Sequence, residues 1–225
     1  MNILNIKAFA GLSFVLVVTA VLLFAPAGTL HYWQAWTFLV IYFISSLALT
    51  LYLMKHDRKL LARRINGGPT AEKEPVQKLI MLVVSAGFIA LIVIPALDHR
   101  FAWSHMPPAV ALAGDLMVLL GWLAIFFVFK ANSFASATIE LTPGQKIIST
   151  GPYALVRHPM YAGGLLMLVG MPIALGSWWG LLVIAAMMPA LIWRLFEEEK
   201  FLARNLAGYV AYQRTVPYRM VPLVW

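Results

Sequence analysis

Two polar stretches carry almost every group able to do chemistry in an otherwise apolar chain. The first is Gln145–Gly164, QKIISTGPYALVRHPMYAGG; the second is Trp193–Pro222, WRLFEEEKFLARNLAGYVAYQRTVPYRMVP. In the first, Gly151-Pro152 marks a turn. Pro159 suits the first turn of a helix, where its missing N–H is not needed. A helix starting there offers free backbone N–H groups and a positive dipole end, which suit a carboxylate or phosphate. Arg157 and His158 add side-chain donors, and Gly163 and Gly164 permit close approach of a helix or a ligand. In the second stretch, Arg194 and Glu198 are four residues apart and share a helix face. Glu197 and Glu199 point elsewhere. Tyr209, Tyr212, Arg214, Tyr218 and Arg219 follow, an aromatic–basic alternation suited to an adenine ring or a sulfonium cation. Plainer accounts exist for each: an interfacial Arg-His anchor, a solvated Arg–Glu pair worth ~0.2–0.5 kcal/mol, and an aromatic membrane anchor.

The elements that must position these stretches are apolar rods. Of the 225 residues, 62% are hydrophobic and 12% charged, against about half and about a quarter in soluble domains. Six runs approach the length of a membrane crossing: Ala8–Ala25, Trp33–Met54, Lys78–Leu97, Ala109–Lys130, Tyr161–Leu175 and Trp179–Phe196. The first is longer than a signal-peptide core and reads as a retained span. The fifth and sixth are short and separated only by Gly176, Ser177 and Trp178, so they form a tight helical hairpin. That hairpin returns the chain to its starting side and should bring His158 close to Arg194. The fold class predicted is an all-α integral membrane protein of about six transmembrane helices with a helical C-terminal tail. It reads as one polytopic domain over residues 1–225, with four spans in 1–130 and the chemistry in 131–225.

Charge sets the orientation. The net charge is +8, but the cations lie between apolar runs, so membrane topology explains them better than nucleic acid does. Sixteen of the 17 Lys and Arg fall on one set of connectors, and Arg100 alone falls on the other. The positive-inside rule then puts both termini and both polar stretches in the cytoplasm. Trp33, Trp36, Trp103, Trp178 and Trp179 lie near the outer ends as an aromatic belt. The polar loop from Lys55 to Gln77 holds a turn at Asn66-Gly67-Gly68-Pro69, and its basic first half suits anionic headgroups. The absence of cysteine excludes disulfides, thiolate zinc and thiol catalysis. No Gly-rich dinucleotide fingerprint occurs. His99 and His105 lack a suitably spaced third metal ligand beyond Asp98, and Asp115 lies early in the fourth span, near the outer interface. The nearly uncharged spans argue against a transporter.

The run GPYALVRHPMYAGG, a short hairpin, then R-x-x-x-EE-x-x-L, Y-x-x-Y and a late Pro resemble the isoprenylcysteine carboxyl methyltransferase family. Phospholipid N-methyltransferases share much of the pattern, which covers roughly residues 132–222. The resemblance implies a membrane methyltransferase using S-adenosylmethionine, with a lipidic or small hydrophobic methyl acceptor. It implies that Gln145, Lys146, Ile147 and Ile148, with Tyr153 and the run His158, Pro159, Met160 and Tyr161, line the cofactor site. Glu198 would also hold the cofactor, and Tyr209 and Tyr212 would close the tail over it. Arg194 would meet the acceptor, with Glu199 completing the acidic pair as a second catalytic candidate. Carboxylate O-methylation is the reaction expected. The rival is a NADPH-dependent membrane sterol reductase, which carries a related Arg-His-Pro-x-Tyr run. There the run reads Arg-His-Pro-Asn-Tyr with a Glu soon after, whereas this chain has Met160 and no acid in Ala162–Gly164.

Overall fold

The computed structural model describes residues 3–65, 67–68, 70–72 and 74–225. Helices account for almost all regular structure: α1 (Ile3–Ala27), α2 (Trp33–His56), α3 (Arg58–Ile65), α4 (Pro75–Phe101), α5 (Pro108–Ala131), α6 (Pro159–Ala174), α7 (Trp179–Asn205) and α8 (Tyr209–Thr215). A single 3-10 turn, Gly151–Ala154, precedes α6. The turn expected at Asn66–Pro69 is only partly within the described residues, since Asn66 and Pro69 lie outside them, as does Lys73.

Five of these helices, α1, α2, α4, α5 and α7, are long and apolar enough to cross a membrane. At ~1.5 Å per residue the 24 to 27 residues of α2, α4, α5 and α7 exceed the ~30 Å hydrocarbon core. The sixth apolar helix, α6, has 16 residues and reaches only ~24 Å. The bundle exposes large apolar side chains outward, among them Phe14, Val17, Ile44, Leu82, Leu116 and Leu182. In water such a surface would drive aggregation; in lipid it faces a matching solvent. Trp33, Trp36, Trp103, Trp178 and Trp179 are all exposed, as an interfacial belt requires.

The core nearest the α1–α2, α4–α5 and α6–α7 connectors joins Leu23, Tyr32, Phe38, Ile92, Val118, Met171 and Leu175. The Tyr32 hydroxyl donates to the Leu175 carbonyl at 2.5 Å, which pins the start of α2 to the end of α6. On the same side Asp98 accepts from the Ser104 hydroxyl and from Ser177. Its carboxylate ties the α4–α5 connector to the α6–α7 connector.

The α6–α7 connection spans only residues 175–178, with Gly176 at φ +76°. The chain doubles back there, but each helix packs chiefly on another partner: α6 along α5, and α7 along α4. Glycines make the first pairing intimate. A Cβ on Gly114 would stand 2.2 Å from the Ala174 nitrogen, and one on Gly170 would stand 2.8 Å from the Gly114 carbonyl oxygen. Gly121 and Gly163 meet in the same way. Small residues let membrane helices pack backbone to backbone where no hydrophobic drive operates between them. As α6 is held against α5, space opens between α6 and α7.

Near the opposite end, Asp57 stops α2 and caps α3, its carboxylate accepting from the Leu60 N–H at 2.9 Å. Helix α3 buries Leu60 and Leu61 against Leu49, Leu53, Ile125, Val128 and Phe129 and exposes Arg58 and Lys59. The basic half of the Lys55–Gln77 loop is therefore an amphipathic helix docked on the bundle.

Candidate active site

The two polar stretches converge on Glu199. Its carboxylate accepts from Arg157 Nε at 2.8 Å and Arg219 Nε at 3.0 Å, and lies 3.2 Å from His158 Nε2. It is 6% exposed. Arg157 also donates through Nη1 to the carbonyls of Val216 and Pro217, both at 2.8 Å. The backbone N–H groups of Arg157 and His158 donate to the carbonyls of Tyr218 and Arg219. The C-terminal tail is thus sewn onto the Arg-His-Pro corner by main chain and side chain together. Arg219 lies over the rings of Phe196 and Trp225, 5.3 and 5.6 Å from their centroids.

Beside this corner is a cavity of about 350 Å³, a size that suits a small cofactor or ligand. Gln145, Lys146, Ile147 and Ile148 form one wall. Gln145 accepts from the Thr142 N–H and hydroxyl, which fixes the turn carrying that wall. Tyr153, His158, Pro159, Met160 and Tyr161 form another wall, and Arg194 and Glu198 line it from α7. Tyr209 and Tyr212 close the cavity from the tail and pack with Ile147, Leu202, Leu206 and Val216. The Tyr212 hydroxyl donates to the Tyr153 carbonyl at 2.7 Å, and Asn132 donates to the Tyr153 hydroxyl at 2.9 Å. Burial pushes Tyr153 and Tyr212 up to about 12, and Tyr209 also rises, through burial and then the charges of Glu199 and Glu198. All three phenols remain protonated donors at neutral pH.

The three adjacent acids go three ways. Glu197 pairs with Lys200 at 2.7 Å on an exposed surface. Glu198 accepts from the Tyr161 hydroxyl at 2.8 Å on the cavity wall. Glu199 is the ionic hub and is not part of the cavity lining. Every cofactor-side residue expected from the sequence therefore borders one space, and Arg194 borders it too.

Three further residues come from the stretch Lys55–Gln77, which in sequence reads as a basic polar loop. Arg194 does not pair with Glu198. Its Nη2 donates to Glu72 Oε1 at 2.7 Å and to the Ala137 carbonyl at 3.3 Å, and its Nη1 donates to Gln77 Oε1 at 2.9 Å. Glu72 is 4% exposed. Arg64 also lines the cavity, with Nη1 donating to the Ser136 carbonyl at 2.9 Å. Burial, and then the charge of Arg194, lower its pKa. The acids Glu72 and Glu74 inside a basic loop were the one available signal.

Toward the membrane the cavity becomes apolar. Gly164, Leu165 and Leu168 of α6 face it, as do Met188 and Leu191 of α7 and Met81 of α4. This arm occupies the space left where α6 follows α5 and α7 follows α4. On the other side of the bundle His99 stacks on Tyr32 with ring centroids 3.9 Å apart, and both Asp115 carboxylate oxygens are buried.

A polytopic helical membrane protein with a largely apolar cavity that carries a cluster of polar groups at one end is the class this fold and site define. Residues 109–208 match the family model described as phospholipid methyltransferase. The C-terminal part of the chain is therefore similar to a phospholipid methyltransferase domain, and it sits among five helices long and apolar enough to cross a membrane. The matched stretch holds α5, α6 and α7 with the Arg-His-Pro corner and the acidic run; Arg64, Glu72, Tyr209 and Tyr212 lie outside it. A comparison with curated proteins found no match. Nothing found supports the reductase alternative.

Proposed function

We propose that the protein transfers a methyl group from S-adenosylmethionine to a lipidic acceptor, with carboxylate O-methylation as the reaction. The observation that carries this reading is one cavity with two chemistries: a polar chamber walled by both polar stretches, and an apolar arm between α6 and α7.

The residues present fit the cofactor. An aromatic and aliphatic cluster of Tyr209, Tyr212, Ile147 and Leu206 suits an adenine ring. Glu198, oriented by Tyr161, suits an ammonium or sulfonium charge. Gln145, Lys146 and Ile148, with Tyr153, His158, Pro159 and Met160, complete the enclosure. When bound, the cofactor supplies a methyl group activated on sulfur. A carboxylate oxygen needs no proton removed, so orientation and exclusion of water are what the protein must supply. Glu199 acts here as a positioning residue: it fixes His158 and Arg157 and closes the tail that shuts water out. Arg194 stands on the acceptor side, with the Glu72 carboxylate where an acceptor carboxylate would lie. The apolar arm gives a lipid acceptor a sideways path, while the cofactor enters from the aqueous side. The distribution of Lys and Arg supports a cytoplasmic position for that side and for both termini.

Purified protein titrated with S-adenosylmethionine and separately with NADPH tests the cofactor. Membranes incubated with the radiolabelled methyl donor test the acceptor, through base-labile label in the lipid fraction. Binding of NADPH alone, or label that resists mild base, overturns the corresponding half of the proposal.

A further inference from the structure

Four cations border the cavity: Arg64, Lys146, Arg157 and Arg194. Three of them have what a cation needs. Lys146 is exposed to solvent, Arg157 pairs with Glu199, and Arg194 pairs with Glu72. Arg64 is the exception. It is partly buried, and among the described residues it forms no ion pair. Its contacts are the Ser136 carbonyl at 2.9 Å, the Met160 sulfur at 3.8 Å and the face of the Phe129 ring at 5.1 Å. Each stabilises a guanidinium without neutralising it. Burial and the neighbouring charge of Arg194 both act against its protonated form, so the fold holds a cation where the field disfavours one. Buried charges are ordinarily paired. An unpaired one facing a cavity marks a place for an anion from outside.

We infer that Arg64 binds the anionic oxygen group of the methyl acceptor, a carboxylate or a phosphate. The inference rests on the proposed methyl transfer and adds a residue and a substrate charge to it. The position fits. Phe129 and Met160 belong to α5 and the start of α6, the helix that also walls the apolar arm. The tail's aromatic cluster is built instead from Ile147, Leu202, Leu206, Tyr209 and Tyr212. An acceptor with its hydrocarbon in the arm would bring its head to Arg64. With the charge of Arg194 matched by Glu72, Arg64 supplies the unmatched charge, and its planar fork pairs with two oxygens at once.

The test uses the full chain in nanodiscs of zwitterionic lipid, titrated with octyl phosphate, octanoate and octanol, with heats from empty discs subtracted. The wild type should bind one or both anionic probes at least about tenfold more tightly than octanol, the order expected of a charge-assisted bond. The tighter anion names the head group. Arg64→Gln should remove the preference, Arg64→Lys should keep part of it, and affinity for S-adenosylmethionine should stay within about twofold in both. Thermal melts with Arg64→Lys as reference separate lost binding from lost fold. No anion preference in the wild type overturns the inference. So does a preference that survives Arg64→Gln, or a loss of cofactor affinity in its place. A wild type that binds anions but neither binds nor uses the methyl donor overturns the proposed function instead and leaves the anion site standing.

Discussion

Glu199→Gln isolates the ionic hub with almost no change of shape. The carboxylate is buried and has three partners, the guanidinium groups of Arg157 and Arg219 at 2.8 and 3.0 Å and the His158 ring at 3.2 Å. The Arg157 side chain is itself only 5% exposed. Neutralising Glu199 leaves that guanidinium buried without a counter-charge, beside a neutral amide and the carbonyls of Val216 and Pro217. Breaking a buried pair from one side costs about 3–5 kcal/mol. Since those two carbonyls remain, the lower end, about 3 kcal/mol, is expected here, or roughly a hundredfold in a local equilibrium. The tail is what that pair holds shut. The amides of Arg157 and His158, bonded to Tyr218 and Arg219 carbonyls, should exchange hydrogen for deuterium up to about a hundredfold faster, and affinity for S-adenosylmethionine should fall with them. Glu197→Gln is the internal control. Its pair with Lys200 is exposed and worth about 0–1 kcal/mol, so both readouts should stay put. Exchange at Arg157 and His158 that changes less than threefold in Glu199→Gln would refute the reasoning.

Arg194→Ala should abolish methyl transfer while cofactor affinity stays within about twofold; full activity would remove Arg194 from the site. Glu72→Gln combined with Arg194→Gln should show a coupling of about 1–3 kcal/mol in a double-mutant cycle on thermal stability, and strict additivity would deny the clasp. Gly114→Leu forces side chain into the Ala174 backbone, so a loss of about 1–3 kcal/mol or more is expected, read as a lower melting temperature in detergent. Reporter tags at both termini should report cytoplasmic, and one external tag would break the proposed topology.

The bundle was legible because hydrophobic runs of membrane length have few other readings. Their ends were less so. Helix α7 continues to Asn205, well past the expected Phe196, because EEEKFLAR is a good helix former once it leaves the apolar zone. The convergence of the Arg-His-Pro corner with the acidic run followed from connectivity, since a four-residue turn between two apolar helices leaves little alternative. What spacing could not supply was the choice of partner. Arg194 and Glu198 have the separation of a helical pair, yet Glu72, 122 residues away in sequence, takes the arginine at 2.7 Å, while Tyr161 takes the glutamate. A surface i,i+4 pair is worth a few tenths of a kcal/mol, and a buried tertiary clasp outweighs it. Arg64 was hidden for a related reason. Its charge had a sufficient explanation in membrane orientation, and only the position of α3 against Phe129 and Met160 reveals that it looks inward.

The shortness of α6 has a consequence for how a hydrocarbon-anchored molecule would be handled. A rod of 16 residues, with Trp178 and Trp179 just past one end, leaves its other end several ångströms inside the apolar slab, since ~24 Å must stand in ~30 Å. The proposed reaction chamber would therefore be sunk below the headgroup plane. Extracting an acyl or prenyl chain into water would require about 0.8 kcal/mol for every methylene, and a recessed chamber makes that extraction unnecessary: the tail stays dissolved in lipid while only the head turns inward to meet its reagent.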